Sequence, residues 1–176
     1  MATFSDRNPD WIRWIAPEHF NDQDLFKIVI FFVFHSPCSN LSSMGKPLIE
    51  YGWNTPWRKP YYLNKQLRQA ATSYELIYSA KGYDEMDAAL EKADLKETFP
   101  SDFSRERICI YDNQGNQFLS IFYHIRNAFA HCRLNMVEVD GECVFILEDV
   151  QPKKSSNQLK VSARMILRKS TLLKWI

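Results

Sequence analysis

Apolar positions along this chain follow two periods, and the change falls just after Arg133. Before it they recur at helical spacing. "NPDWIRWI" predicts a short helix capped by Asn8, with Pro9 at its first position. "NDQDLFKIVIFFVFH" offers Asn21 or Asp22 as an N-cap and acids in its first turn. Its β-branched and aromatic run suits a strand as well as a helix, and the acidic start favours a buried helix. "YYLNKQLRQAATSYELIYSA" sets Leu63, Leu67, Ala70, Ala71, Tyr74 and Tyr78 along one side of a further helix, and "DEMDAALEKADL" predicts a more polar one. "RICIYDNQGNQ" reads as a short extended piece and a turn at Asn113 to Gly115, which launches the helix "QFLSIFYHIRNAFAHCR".

After Arg133 the pattern alternates. "NMVEVDGECVFILEDV" predicts two strands around an Asp140-Gly141 hairpin turn. "LKVSARMIL" predicts a third strand, and "KSTLLKWI" a terminal helix opened by Ser170 or Thr171. The expected fold is mainly α (α+β) in a single domain over 1–176. A helical core would cover about 8–133 and a small antiparallel β appendage with a terminal helix about 134–176.

Between Ser36 and Pro60 the punctuation by Pro37, Gly45, Pro47, Gly52, Pro56 and Pro60 predicts a long loop. Tyr51, Trp53 and Trp57 must pack somewhere, so the loop is expected to lie against the core or a second subunit.

With 45% hydrophobic residues the chain can bury a core, and a net charge of +1 gives no general attraction to nucleic acid. Cys38, Cys109, Cys132 and Cys143 have no paired spacing, which points to reduced thiols and a cytoplasmic location rather than a disulfide scaffold. Zinc held by distant Cys and His would be the alternative reading of those thiols. The start lacks the pattern of a secretory signal, and the apolar run from Leu25 to Phe34 is too short to span a bilayer, so no membrane partner is expected.

The helix before Arg133 carries the candidate chemistry. At ~100° per residue with Arg126 at zero, Phe118, Ile121, Phe122, Ile125, Ala128, Phe129 and Cys132 fall between roughly 200° and 320° as a core stripe. Ser120, His124, Asn127 and His131 cluster between roughly 100° and 160°. The polar side holds no Lys, Glu or Asp. Arginine forks grip phosphate oxygens, histidine moves protons near neutral pH, and asparagine orients either of them. No carboxylate cluster for Mg²⁺ accompanies them, so neither a metal nor another cofactor is expected.

"IRNAFAHCR" resembles the signature of the HEPN superfamily, an Arg followed by a polar residue with a His four to six residues further on. Arg13 and His19 meet the bare spacing too, but they straddle Pro17 and lack the Asn. The resemblance implies a HEPN-like helical bundle and a dimeric, metal-independent endoribonuclease of toxin or phage-defence type. It would cleave RNA through its own 2′-OH and leave room for an antitoxin or other regulatory partner. Matched position by position, Arg126 and His131 take the catalytic places and Asn127 the polar place between them. His124 and Arg133 stand outside the core signature; both are candidates for substrate binding, and His124, on the same face, reads equally as a structural histidine bonded to a backbone carbonyl. Members of this type more often carry Gly after the His, where this chain has Cys132. On an ideal helix Arg126 and His131 stand ~140° apart, so one phosphate is shared only if the helix ends or bends between them or a second copy completes the site. The alternative is a non-catalytic HEPN module that binds RNA, nucleotide or a partner protein.

Overall fold

The computed structural model describes residues 4–5, 22–38, 41–42, 77–96, 102–152 and 159–176. The helix expected from Asn8, most of the helix expected over 61–80, and Tyr51, Trp53 and Trp57 lie outside them.

Six strands form one mixed sheet: β1 (Phe4–Ser5), β4 (Ile77–Ala80), β5 (Arg107–Tyr111), β6 (Leu134–Val139), β7 (Glu142–Pro152) and β8 (Leu159–Arg168). Their order is β4-β5-β8-β7-β6, and β1 also pairs with β8. The β4–β5 pair is parallel and every other pair in the sheet is antiparallel. A separate two-stranded ribbon joins β2 (Pro37–Cys38) to β3 (Leu41–Ser42).

Helices cover both faces of the sheet. On one lie α1 (Gln23–Ile30), which runs on as a π-helical turn over Phe31–His35, α3 (Gln117–Ala130) and α4 (Lys169–Lys174). Their core centres on rings. Phe32 meets Phe122 edge-to-face at 5.4 Å, and Trp175 packs against Phe118 at 6.1 Å and Phe122 at 6.0 Å. On the other face α2 (Tyr83–Lys92) buries Met86 and Leu90 against Cys109, Val144, Ile146, Val161 and Ile166.

This architecture overturns the expected helical bundle with a β appendage. The alternating tail is not an appendage: β8 sits inside the sheet, bonded to β7 on one side and to β5 on the other. Ile77–Ala80, expected as the end of a helix, is a strand paired with β5 in the register Ile77↔Ile108. Tyr78 keeps its helical spacing from Tyr74 in the sequence, but a parallel neighbour with an apolar face decides its conformation. Pairings such as Arg107↔Ile166 bridge distant segments and leave no trace in local periodicity.

Two expected features stand as read. The hairpin turn falls on Asp140 and Gly141, both at positive φ (53° and 76°), as a two-residue loop requires. Asp22 caps α1, its Oδ1 accepting from the amides of Asp24 (2.8 Å) and Leu25 (3.4 Å). The terminal helix begins at Lys169, slightly earlier than Ser170 or Thr171 would set it.

Asp22 also ties α1 to α4. Its Oδ2 accepts from Lys169 Nζ at 2.7 Å, and this contact holds the carboxyl below its usual pKa and the ammonium above its own. A depressed carboxylate stabilises the fold above its unfolded pKa and loses that contribution as pH falls through the folded one. Asp22→Asn keeps the cap acceptor and removes the charge, so its stability deficit should be constant above the ordinary carboxylate range and shrink as pH falls through the depressed folded value of Asp22. Asp22→Ala should cost about 1 kcal/mol more through the lost cap. Thermal melts across pH test this, and a deficit for Asn that grows in acid would refute it.

Candidate functional site

Helix α3 opens at Asn116, whose Oδ1 accepts from the amides of Phe118 (2.9 Å) and Leu119 (3.1 Å), just after a turn with Gly115 at φ 66°. It closes in a Schellman arrangement. The amide of Cys132 bonds the carbonyl of Phe129 (3.2 Å), and that of Arg133 bonds the carbonyl of Ala128 (2.8 Å). Cys132 accordingly sits at φ 53°, a left-handed conformation that glycine adopts most easily.

The polar side of α3 does not face solvent. Ser120 and His124 are fully buried and Asn127 nearly so, and after Gln117 in the first turn the outward residues of the helix are Tyr123, Arg126 and Ala130. The covering elements are the ends of the strands. Ser120 Oγ donates to Asp112 Oδ1 at 2.7 Å and accepts from the amide of Gln114 at 3.1 Å.

His124 uses both ring nitrogens internally. Nε2 lies 2.8 Å from the carbonyl of Tyr111, which can only accept, so Nε2 carries a hydrogen. Nδ1 lies 2.7 Å from Oδ2 of Asp149, itself only 2% exposed. The imidazole is thereby held in one orientation from two sides. The same Oδ2 accepts from Ser162 Oγ (3.0 Å) and Asn127 Nδ2 (3.2 Å). Ser162 stands at a β-bulge: Asp149 pairs with Ala163 but Val150 pairs with Val161, so the serine is the extra residue.

Asn127 then passes its orientation outward. With its NH₂ on Asp149, its Oδ1 accepts from Arg126 Nη1 at 2.8 Å. Arg126 is half-buried and makes no ion pair among the described residues; its Nε is buried without a hydrogen bond there. His131 follows the last turn of α3 at φ −100°, exposed, and its ring makes no hydrogen bond with any described residue. The helix thus ends between Arg126 and His131. Arg133 turns to the opposite face of β7, where it pairs with the fully buried Glu148, which also accepts from Arg164 Nε at 2.9 Å. Arg164 is fixed in turn by the carbonyls of Leu95 (2.8 Å) and Lys96.

Of the residues read from the sequence, Arg126, Asn127 and His124 are joined through Asp149. His131 stands apart at the helix end, and Arg133 belongs to a separate ion cluster. The sequence reading missed Asp149, Ser162 and the carbonyl of Tyr111. A signal existed for the first: "FILEDV" places two acids inside an apolar strand, where buried charge demands partners. Among the described residues no three of His, Cys, Asp and Glu converge as metal ligands, and no helix is long and apolar enough to cross a membrane. The chain matches no protein-family model, no curated protein and no solved structure.

Two stability predictions follow from this geometry. Cys132→Gly relieves the left-handed backbone, partly offset by a looser unfolded chain, and should stabilise by about 0.5–1 kcal/mol, with Cys132→Ala near neutral. A loss with glycine in urea denaturation would refute the account of the helix end. Glu148→Ala strands two arginines around a buried gap and should cost about 3–5 kcal/mol in the same assay. A cost under about 1 kcal/mol would mean that the cluster contributes little.

Proposed function

We propose that this chain is a metal-independent endoribonuclease whose chemistry lies at the C-terminal end of α3. One observation carries the reading: Arg126 is oriented by Asn127 yet free of any carboxylate among the described residues, and an exposed His131 follows it just beyond the helix end. A guanidinium neutralised by an acid would have little to offer a phosphate. This one retains its charge for an incoming anion. The reading rests on this local geometry and on the likeness of "IRNAFAH" to the HEPN signature, and it needs no helical bundle.

In the mechanism, the 2′-oxygen of RNA attacks the adjacent phosphorus and the bond to the 5′-oxygen breaks. His131 accepts the 2′-OH proton as general base, and an imidazolium returns a proton to the leaving 5′-oxygen. Arg126 stabilises the charge that accumulates on the pentacoordinate phosphorus. The products are a 2′,3′-cyclic phosphate and a 5′-hydroxyl. A homodimer that opposes two α3 ends would supply the second imidazole. A cytoplasmic toxin or phage-defence role, with an antitoxin or other regulator, belongs to the same proposal.

The test is cleavage of total RNA in excess EDTA by wild type, His131→Ala and Arg126→Ala, each checked for folding. Each variant should lose on the order of 100-fold or more in rate, and a 2′-deoxy residue at the cut position should block cleavage. Folded wild type that leaves the RNA intact would overturn the catalytic reading and leave a binding module.

A further inference from the structure

Asp149 lies on β7, 23 positions beyond Arg126 in the chain (149 minus 126), and has no place in the helix motif. We infer that Asp149 is a positioning residue for Arg126, acting through the side-chain amide of Asn127. This rests on the reading of Arg126 as the phosphate-binding group.

The argument is one of donor and acceptor matching. An amide has a donor end and an acceptor end, and Asn127 is read at both: Nδ2 at 3.2 Å from Asp149 Oδ2, Oδ1 at 2.8 Å from Arg126 Nη1. Flipping it would set oxygen against the carboxylate and NH₂ against a guanidinium that cannot accept. Asp149 therefore dictates which end Arg126 meets. The carboxylate is itself anchored from two strands and a helix. Ser162 reaches it from the bulge in β8, and His124 reaches it while bonded to the carbonyl of Tyr111 on β5. Three side chains converge on one oxygen that is almost inaccessible to water. A long, flexible arginine is thereby referred to the rigid sheet rather than to the helix surface alone, which lowers the ordering entropy left for substrate binding.

The test reads Arg126 itself. In protein labelled with ¹⁵N-arginine, the guanidinium of Arg126 should be ordered in wild type, by its Nε–Hε heteronuclear NOE. It should become mobile in both Asn127→Leu and Asp149→Leu, the second of which removes the acceptor for Asn127 Nδ2. Arg133 and Arg164, held by Glu148, serve as internal controls and should stay ordered in every variant. If Asp149→Leu does not fold, Asp149→Ser replaces it: its hydroxyl stops short of Asn127 Nδ2 and should likewise mobilise Arg126. Arg126 order that survives Asn127→Leu, or is lost there but survives the change that addresses Asp149, overturns the inference.

Cleavage kinetics separate this inference from the nuclease reading. If wild type cuts RNA, kcat in Asn127→Leu and Asp149→Leu should fall on the order of 100-fold, with KM changing less. If wild type does not cut, the nuclease reading fails while the NMR comparison still decides whether Asp149 positions Arg126.

Discussion

Two adjacent carboxylates on the central part of β7, Glu148 and Asp149, are buried on opposite faces of the sheet, and much of the molecule is arranged to satisfy them. An acid without a partner in this interior would cost more than most single contacts return. Glu148 is answered by two guanidiniums, which bind the end of α3 and the chain after α2 to the sheet. Asp149 is answered by an imidazole, an amide and a hydroxyl, which bind the middle of α3 and the bulge of β8. One dipeptide thus fixes helix, strand and loop on both sides of a single layer.

This explains why α3 is buried around most of its circumference although half of that circumference is polar. Its apolar stripe meets the aromatic core of Phe32, Phe145 and Trp175, while Ser120, His124 and Asn127 meet strand ends rather than water. What remains outside is narrow, and Arg126 is the charged residue on it. The polar residues of the segment therefore divide into those that hold the helix in place and those left to act on something else. His124 belongs to the first group and His131 to the second, although the helical wheel puts them within ~20° of each other.

Signals confined to a few neighbouring residues were legible. The Asp22 cap, the Asp140-Gly141 turn and the amphipathic course of α3 each follow from short-range chemistry. The sheet was not, because its defining pairings join Ile77 to Ile108 and Arg107 to Ile166, and periodicity reports only that a strand exists. The same limit hid the second partner of His124: a bond to a backbone carbonyl was one of its two readings, a buried carboxylate was not. Whether a polar helix face meets solvent or a carboxylate on a strand 25 residues away depends on topology. In the candidate site, Arg126, Asn127 and His131 are candidates by residue type and by the likeness of their segment to a family motif. The support beneath them could not be read, since Asp149 and Ser162 come from strands whose place in the sheet had to be known first.

The position of β8 bears on how the molecule comes into being. It follows every other described strand in the chain, yet it alone joins the β4–β5 pair to the β6–β7 hairpin. During translation both halves of the sheet leave the ribosome before the strand that unites them, and until then each presents a long unpaired edge. Ser162, part of the support for Asp149 and so for Asn127 and Arg126, arrives with that strand. A nascent chain would thus carry the whole "IRNAFAH" segment well before its setting is complete. If the proposed activity is harmful to the cell that makes it, the order of the strands itself delays the hazard.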